Sequence, residues 1–169
     1  MTSEKTVVLN HLQIKQKIDR IAYQLFENFH QEKELIIAGI APNGNGLAQR
    51  IATALQACSP LKITMVEIKL EKDDPLSKPV QISIPADQLK DKVIVVVDDV
   101  LNSGRTMIYA LLPFLQSQVK QITTVVLVAR SYNRFPVKAD IVGMSISTTM
   151  REHIEVDLKG PGMDTVYLR

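Results

Sequence analysis

The segment Val93-Ile94-Val95-Val96-Val97-Asp98-Asp99-Val100-Leu101-Asn102-Ser103-Gly104-Arg105-Thr106 constrains this chain more than any other. Its five consecutive aliphatic residues carry no polar alternation, which suits a strand buried on both faces in a parallel sheet covered by helices. Carboxylates at the carboxyl end of such a strand emerge where open α/β sheets bind ligands, and adjacent ribose hydroxyls can share Asp98 and Asp99. The Asn102–Thr106 stretch then offers a phosphate monoester backbone N–H groups freed by a Gly turn, Ser and Thr hydroxyls, and the positive end of a helix dipole. The expected ligand is a ribose 5-phosphate. An isolated acidic pair usually just ends a strand, and an acidic pocket for Mg²⁺ alone leaves Ser103-Gly104-Arg105-Thr106 unexplained. The pieces occurring in order favour the sugar phosphate.

The 169 residues fit a single domain, 1–169, with a substantial core, and a hydrophobic share of 46% is that of a folded chain. Twenty Lys and Arg against 18 Asp and Glu leave a formal charge of +2, too little to imply nucleic-acid binding by itself. The apolar runs are strand-length and the first residues lack a signal-peptide core, so a cytoplasmic protein without membrane insertion is expected. Cys58 has no partner for an internal disulfide, and His11, His30 and His153 lack metal-site spacing with it.

Along the chain, Asn10-His11-Leu12-Gln13 reads as a capping box, followed by Ile14, Ile18, Ile21, Ala22, Leu25 and Phe29 at helical spacing. Leu35 to Ile40 reads as a buried strand, followed by a loop over 41–46 and a helix from about Leu47 to Leu55. Ile63–Leu70 and Val80–Ile84 are expected to pair as a hairpin with a mobile tip, spanning roughly 65–85. After the strand at 93–97 comes a helix whose inner face carries Met107, Ala110, Leu111, Phe114 and Leu115, with a kink or an early end at Pro113. A further buried strand covers 123–128, with shorter apolar segments at 140–146, 154–158 and 165–168. This alternation predicts an α/β fold: a doubly wound, mostly parallel sheet flanked by helices. The hairpin and the last strands would form a smaller appendage, with a hood at about 144–169.

Residues 93–106 resemble the signature of the type I phosphoribosyltransferase family, an aliphatic strand, two acids and a Thr/Ser-Gly-x-Thr loop. Within it the chain is most similar to the pyrimidine attenuation regulators that double as uracil phosphoribosyltransferases. Asp98-Asp99-Val100-Leu101, Gly104-Arg105-Thr106, Phe135 to Gly143 and Glu67 to Asp74 carry that likeness. The resemblance implies transfer of a phosphoribosyl group from phosphoribosyl pyrophosphate to a nucleobase, with Mg²⁺ bridging ribose and pyrophosphate oxygens. By the same resemblance Asp98 and Asp99 hold the ribose diol, directly or through the metal. Asn102, Ser103, Gly104, Arg105 and Thr106 cradle the 5-phosphate, Val100 and Leu101 count among the residues that bind phosphoribosyl pyrophosphate, and Pro42, Asn43 and Gly44 border the pyrophosphate. Lys72 stands at the edge of a flexible loop, able to approach the leaving group as a catalytic residue. Arg130, Ser131, Ser147 and Thr148 fall in the nucleobase and hood region.

Two departures from the regulators' pattern matter. Ala41 and Asn43 stand where the pyrophosphate loop usually carries Lys and Arg, and Ala129-Arg130-Ser131-Tyr132 replaces Asp-Arg-Gly-His. Asn102 occupies a loop position where 6-oxopurine relatives place an Asp that takes or shares the purine proton, and Asn cannot ionise. A pyrimidine acceptor, uracil first, is therefore expected. The alternative is a weakly catalytic or non-catalytic regulator that senses phosphoribosyl pyrophosphate or a nucleotide. The resemblance further implies a homodimer or higher homo-oligomer. RNA as a partner has little support, because Lys and Arg are dispersed rather than gathered in a patch.

Overall fold

The computed structural model describes residues 4–169. Asn10 opens the first helix, α1 (His11–Phe29), through the capping box its sequence predicts. The Gln13 N–H donates to Asn10 Oδ1 at 2.9 Å, and the Asn10 N–H donates to Gln13 Oε1 at 3.0 Å. The six apolar residues expected on its inner face are its six buried ones. Asn10→Ala is expected to cost about 1 kcal/mol of stability, read as a lower urea midpoint at unchanged slope.

A six-stranded sheet runs in the order β4-β3-β2-β5-β6-β7. Its strands are β2 (Glu34–Ile40), β3 (Lys62–Lys69), β4 (Gln81–Ile82), β5 (Val93–Leu101), β6 (Gln121–Arg130) and β7 (Ile141–Ile146). All neighbours pair in parallel except β3 with β4. In β5, Val93, Val95 and Val97 pack with α1 and α2 (Asn43–Cys58), while Ile94 and Val96 pack with Met107, Ala110 and Phe114 on the opposite face. This two-sided burial is what the unbroken aliphatic run required.

The sheet winds outward in two directions, β2 through α2 to β3, and β5 through α3 (Arg105–Ala110) and α4 (Leu112–Leu115) to β6. Between the carboxyl ends of β2 and β5 lies the point of reversal, where open α/β sheets form a ligand crevice.

Several boundaries differ from expectation. β5 continues to Leu101 because Asp98, Val100 and Leu101 keep their register with Val126, Val128 and Ala129 of β6. The acidic pair thus lies within the strand's last residues rather than beyond its end. α2 starts at Asn43, not near Leu47, because Pro42 already has helical dihedrals as its N-cap. A first turn depends less on intrinsic propensity than an interior one does, so Asn43-Gly44-Asn45-Gly46 can form it. The helix after the phosphate loop does break before Pro113, but Leu115 is exposed rather than on the inner face.

The hairpin is real, pairing Ile68 with Ile82 and Lys69 with Gln81. It is no appendage, since β3 is a full member of the main sheet. Likewise the segment at 140–146, whose end overlaps the hood expected from about 144, belongs to that sheet as β7. The separate small sheet consists of β8 (Ile154–Asp157), β9 (Thr165–Leu168) and β1 (Thr6–Leu9), in the order β1-β9-β8 and antiparallel throughout. The sequence reading missed β1, a short edge strand that is mostly exposed. Its partner, which supplies the register, lies at the far end of the chain.

Candidate active site

Two loops meet at the sheet's point of reversal. The first follows β2, where Ala41 and Pro42, joined by a cis peptide, lead into Asn43 and Gly44. Gly44 sits against β5: a Cβ there would lie 2.6 Å from the Val97 carbonyl oxygen and 3.0 Å from Asp98 Cα. Only a residue without a side chain lets the start of α2 approach the acid-bearing strand this closely. Asn43 Nδ2 consequently reaches Asp99 Oδ2 at 3.0 Å.

The acidic pair itself is buried, Asp98 at 3% and Asp99 at 8% exposure. The Asp99 N–H donates to Asp98 Oδ1 at 2.9 Å, and the Val100 N–H donates to Asp99 Oδ1 at 2.9 Å. Lys72 Nζ lies 3.8 Å from Asp98 Oδ1. Burial, and then the neighbouring Asp99 carboxylate, push the Asp98 carboxyl up to about 8, with Lys72 opposing the rise. Desolvation and like-charge repulsion therefore oppose ionising both acids at once, and a bound cation would relieve them.

Downstream, Asn102 to Thr106 curls around a small hollow of about 30 Å³ lined by Asp98 and residues 100–107. Gly104 takes the left-handed conformation, φ 86°, that the bend requires. The loop is fastened from outside: the Arg134 and Phe135 N–H groups donate to the Ser103 carbonyl at 2.9 and 3.0 Å. Ser103 Oγ accepts from the Arg105 N–H at 3.3 Å. First-turn N–H groups of a helix have no helical acceptor, so the α3 start presents donors to the hollow. With six residues, α3 adds little dipole. Val100 packs against one core and Leu101 against the other, so what these two offer a ligand is main chain.

On the opposite bank, Arg130 ends β6 with 8% of its surface exposed. Its Nε donates to Thr148 Oγ1 at 2.8 Å, Nη1 to Asn102 Oδ1 at 3.1 Å, and Nη2 to the Thr149 carbonyl at 3.3 Å. Ser131 lies beside this cluster, its N–H donating to the Ile146 carbonyl at 3.3 Å, and its side chain and that of Ser147 are exposed. The structure thus brings the expected acid, phosphate-loop and pyrophosphate-loop residues to one crevice, with Arg130 and Thr148 at its rim.

Three contacts were not anticipated. They are the link from Asn102 to Arg130, the role of Thr149 in it, and the bond from Asn45 Nδ2 to Glu67 Oε2 at 3.3 Å. Each joins residues distant in sequence, and no local pattern marks them. A roomier hollow, about 710 Å³, lies between α1, α2 and the turn before β9, beside the ion pair of Arg50 with Asp164. It lacks the adjacent acid pair and the glycine-bent phosphate loop, so chemistry rather than volume selects the smaller one.

A family model described as the phosphoribosyl transferase domain matches residues 5–160. The chain belongs to the phosphoribosyltransferase family. It is 34% identical over 167 residues to the bifunctional protein PyrR of Bacillus pumilus, covering 92% of this chain and 91% of the relative. To the bifunctional protein PyrR of Streptomyces coelicolor it is 33% identical, covering 98% and 90%. Among solved structures, a hypoxanthine phosphoribosyltransferase from Trypanosoma cruzi, complexed with the product IMP, superposes with a TM-score of 0.78 over 98% of this chain and 90% of the other. At 18% identity this last likeness shows the fold alone.

As a phosphoribosyltransferase the chain is a pentosyltransferase of nucleotide metabolism, and its family binds phosphoribosyl pyrophosphate and a nucleobase or nucleotide. No helix among the described residues is long and apolar enough to cross a membrane. No cluster of three or more His, Cys, Asp or Glu side chains forms a metal cage among the described residues. Mg²⁺ does not need one, since it is commonly held by one or two carboxylates plus substrate oxygens and water. The buried pair Asp98 and Asp99 fits that donor set.

Proposed function

We propose that this phosphoribosyltransferase uses Mg²⁺ and transfers the phosphoribosyl group of phosphoribosyl pyrophosphate to a nucleobase, uracil being the leading acceptor, with release of pyrophosphate. The observation that carries the reading is the buried carboxylate pair beside a main-chain hollow of phosphate type. The pairing matches the two ends of a ribose 5-phosphate, a diol and an ester anion.

In this reading Asp98 and Asp99 accept the ribose hydroxyls, and Asn102 to Thr106 hold the 5-phosphate through N–H and hydroxyl donors. The same two carboxylates would hold Mg²⁺, which would neutralise charge on the substrate. A bond forms between the base nitrogen and C1 as the bond from C1 to pyrophosphate oxygen breaks, its electron pair leaving with the pyrophosphate, and the nitrogen's proton passes to the released pyrophosphate or to water. Lys72 and Asn43 border the departing pyrophosphate, and fixed donors there stabilise charge as it develops. Holding C1 and the base in line supplies much of the remaining acceleration.

Uracil follows from the likeness to the pyrimidine regulators and from an Asn at position 102, which cannot take a purine proton. A specific observation favours the second reading, a nucleotide or phosphoribosyl pyrophosphate sensor with little catalysis. Ala41 and Asn43 bring no charge to the pyrophosphate loop, and Lys72 is the only Lys or Arg within 4.0 Å of either acid among the described residues. Charge-assisted bonds to phosphate are roughly twice as strong as neutral ones, so leaving-group stabilisation is the step such a loop weakens. Pyrophosphate release, followed with Mg²⁺, phosphoribosyl pyrophosphate and a panel of bases, separates the readings. Turnover with uracil is expected. Tight binding without release by any base supports the sensor, and efficient turnover of hypoxanthine overturns the choice of base.

A further inference from the structure

Asp98 already has a positive partner, and it comes from the hairpin tip. Lys72 Nζ, 3.8 Å from Asp98 Oδ1, makes the one ion pair among the described residues that ties residues 71–79 to the rest of the molecule. The tip's other polar fastenings are its own. The Ser77 N–H and hydroxyl both donate to the Asp74 carbonyl, at 3.0 and 2.7 Å, and Lys78 Nζ meets Glu71 Oε1 at 3.2 Å. The pairing of β3 with β4 reaches no further than Lys69 and Gln81.

The two partners are unequal in freedom. Asp98 is buried in β5, whose register with β6 holds it in place, whereas 38% of the Lys72 side chain is exposed. Lys72 is therefore the partner that can leave. One ammonium also answers two adjacent carboxylates incompletely, since the only other side chain bonded to the pair is the neutral Asn43 amide on Asp99. A divalent cation brings more charge to the same oxygens and repels an ammonium that stays beside them.

We propose that Lys72 is the counter-ion of Asp98 in the empty crevice and is displaced when a divalent cation reaches the acid pair, which frees its charge for the departing pyrophosphate. The exchange is mutual: Lys72 weakens the cation's hold on the acids by the same factor as the cation weakens that of Lys72. The hairpin tip is thereby released toward the leaving group only once the metal is in place. This inference rests on the proposed function, because it takes Asp98 and Asp99 as the acids that hold the metal. It goes further in making the position of the tip depend on that metal.

The test uses the full chain without substrate and Mn²⁺ alone as the probe. Free Mn²⁺ is counted by its spin-resonance signal at a pH above about 8, where Asp98 is ionised. Lys72→Met, of similar length but uncharged, is expected to bind Mn²⁺ at least about fivefold more tightly than wild type. Lys72→Arg keeps the weak binding. Lys78→Met removes a tip charge that meets Glu71 rather than the acid pair, and changes the affinity less than about twofold. Chymotrypsin reads the reciprocal effect at Leu76, which is 77% exposed in the tip. Mn²⁺ is expected to speed that cleavage about fivefold in wild type and to leave Lys72→Met, already cut fast, unchanged. Equal Mn²⁺ affinity in wild type and Lys72→Met, or wild-type cleavage indifferent to Mn²⁺, overturns the inference, and with phosphoribosyl pyrophosphate still bound it leaves the proposed function standing. Failure of the wild-type chain to bind phosphoribosyl pyrophosphate with Mg²⁺ overturns the proposed function and the inference with it.

Discussion

The double variant Asp98→Asn, Asp99→Asn is expected to bind phosphoribosyl pyrophosphate in the presence of Mg²⁺ more than about a hundredfold more weakly, since two charged hydrogen-bond acceptors are lost at about 1.5–3 kcal/mol each. Calorimetry measures it, and affinity equal to wild type would sink the site assignment. The fold should survive, and its stability should respond to pH in a telling way. In the folded chain the Asp98 carboxyl titrates near 8, against 3.8 ordinarily. Between those values the folded state keeps a proton that the unfolded state has released. Folding there takes up a proton, so wild-type stability is highest below the lower value and falls as pH rises through the upper one.

Asp98→Asn has no proton to lose, so this contribution to the slope disappears. Near pH 8 the single variant should be more stable than wild type by at least about 1.4 kcal/mol, the equivalent of one pKa unit. Urea midpoints without ligand at roughly pH 5 and 8 provide the comparison. Parallel curves for the two proteins would show that burial does not strain the acid. A residue whose removal stabilises the chain and destroys ligand binding is held there for function.

Gly44→Ala is expected to have the second largest effect, lowering kcat/KM by about a hundredfold, the scale on which a misplacement of about 1 Å acts. The added methyl meets main chain rather than a yielding side chain, at 2.6 Å from the Val97 oxygen. Either α2 moves away from β5 or β5 moves with Asp98. Both separate Asn43 from Asp99, whose 3.0 Å bond ties the two banks of the crevice. The stability cost is about 1–3 kcal/mol, and steady-state kinetics on folded variant, verified by circular dichroism, measure the rest. Wild-type kinetics in Gly44→Ala would mean that the close approach of α2 has no bearing on chemistry.

The legible parts of this molecule were those written locally. The valine run announced a strand buried on two sides, and Val93 to Val97 do alternate between the two helix layers. Asn10 and Gln13 announced a helix start that the hydrogen bonds reproduce. The acid pair and the Gly104 bend are adjacent in sequence, so their joint chemistry could be inferred without a fold. What escaped depended on distant partners. α2 starts earlier than expected because Asn43-Gly44-Asn45-Gly46 reads as a loop, while the helical Pro42 and the close approach of Gly44 to β5 set the turn there. The second sheet was drawn without β1, whose pairing requires residues Thr6 and Leu168 to meet. The grip of Arg130 on Asn102 likewise joins the ends of two neighbouring strands that nothing in either segment names.

That second sheet sets an order of events. Its middle strand, β9, lies between β8 and a strand from the opposite end of the sequence. A nascent chain can therefore assemble the six-stranded sheet and its acid pair while its first strand still waits, unpaired, for Thr165–Leu168 to emerge. Completion of the molecule then waits on a contact of very long sequence separation, which is slow to form.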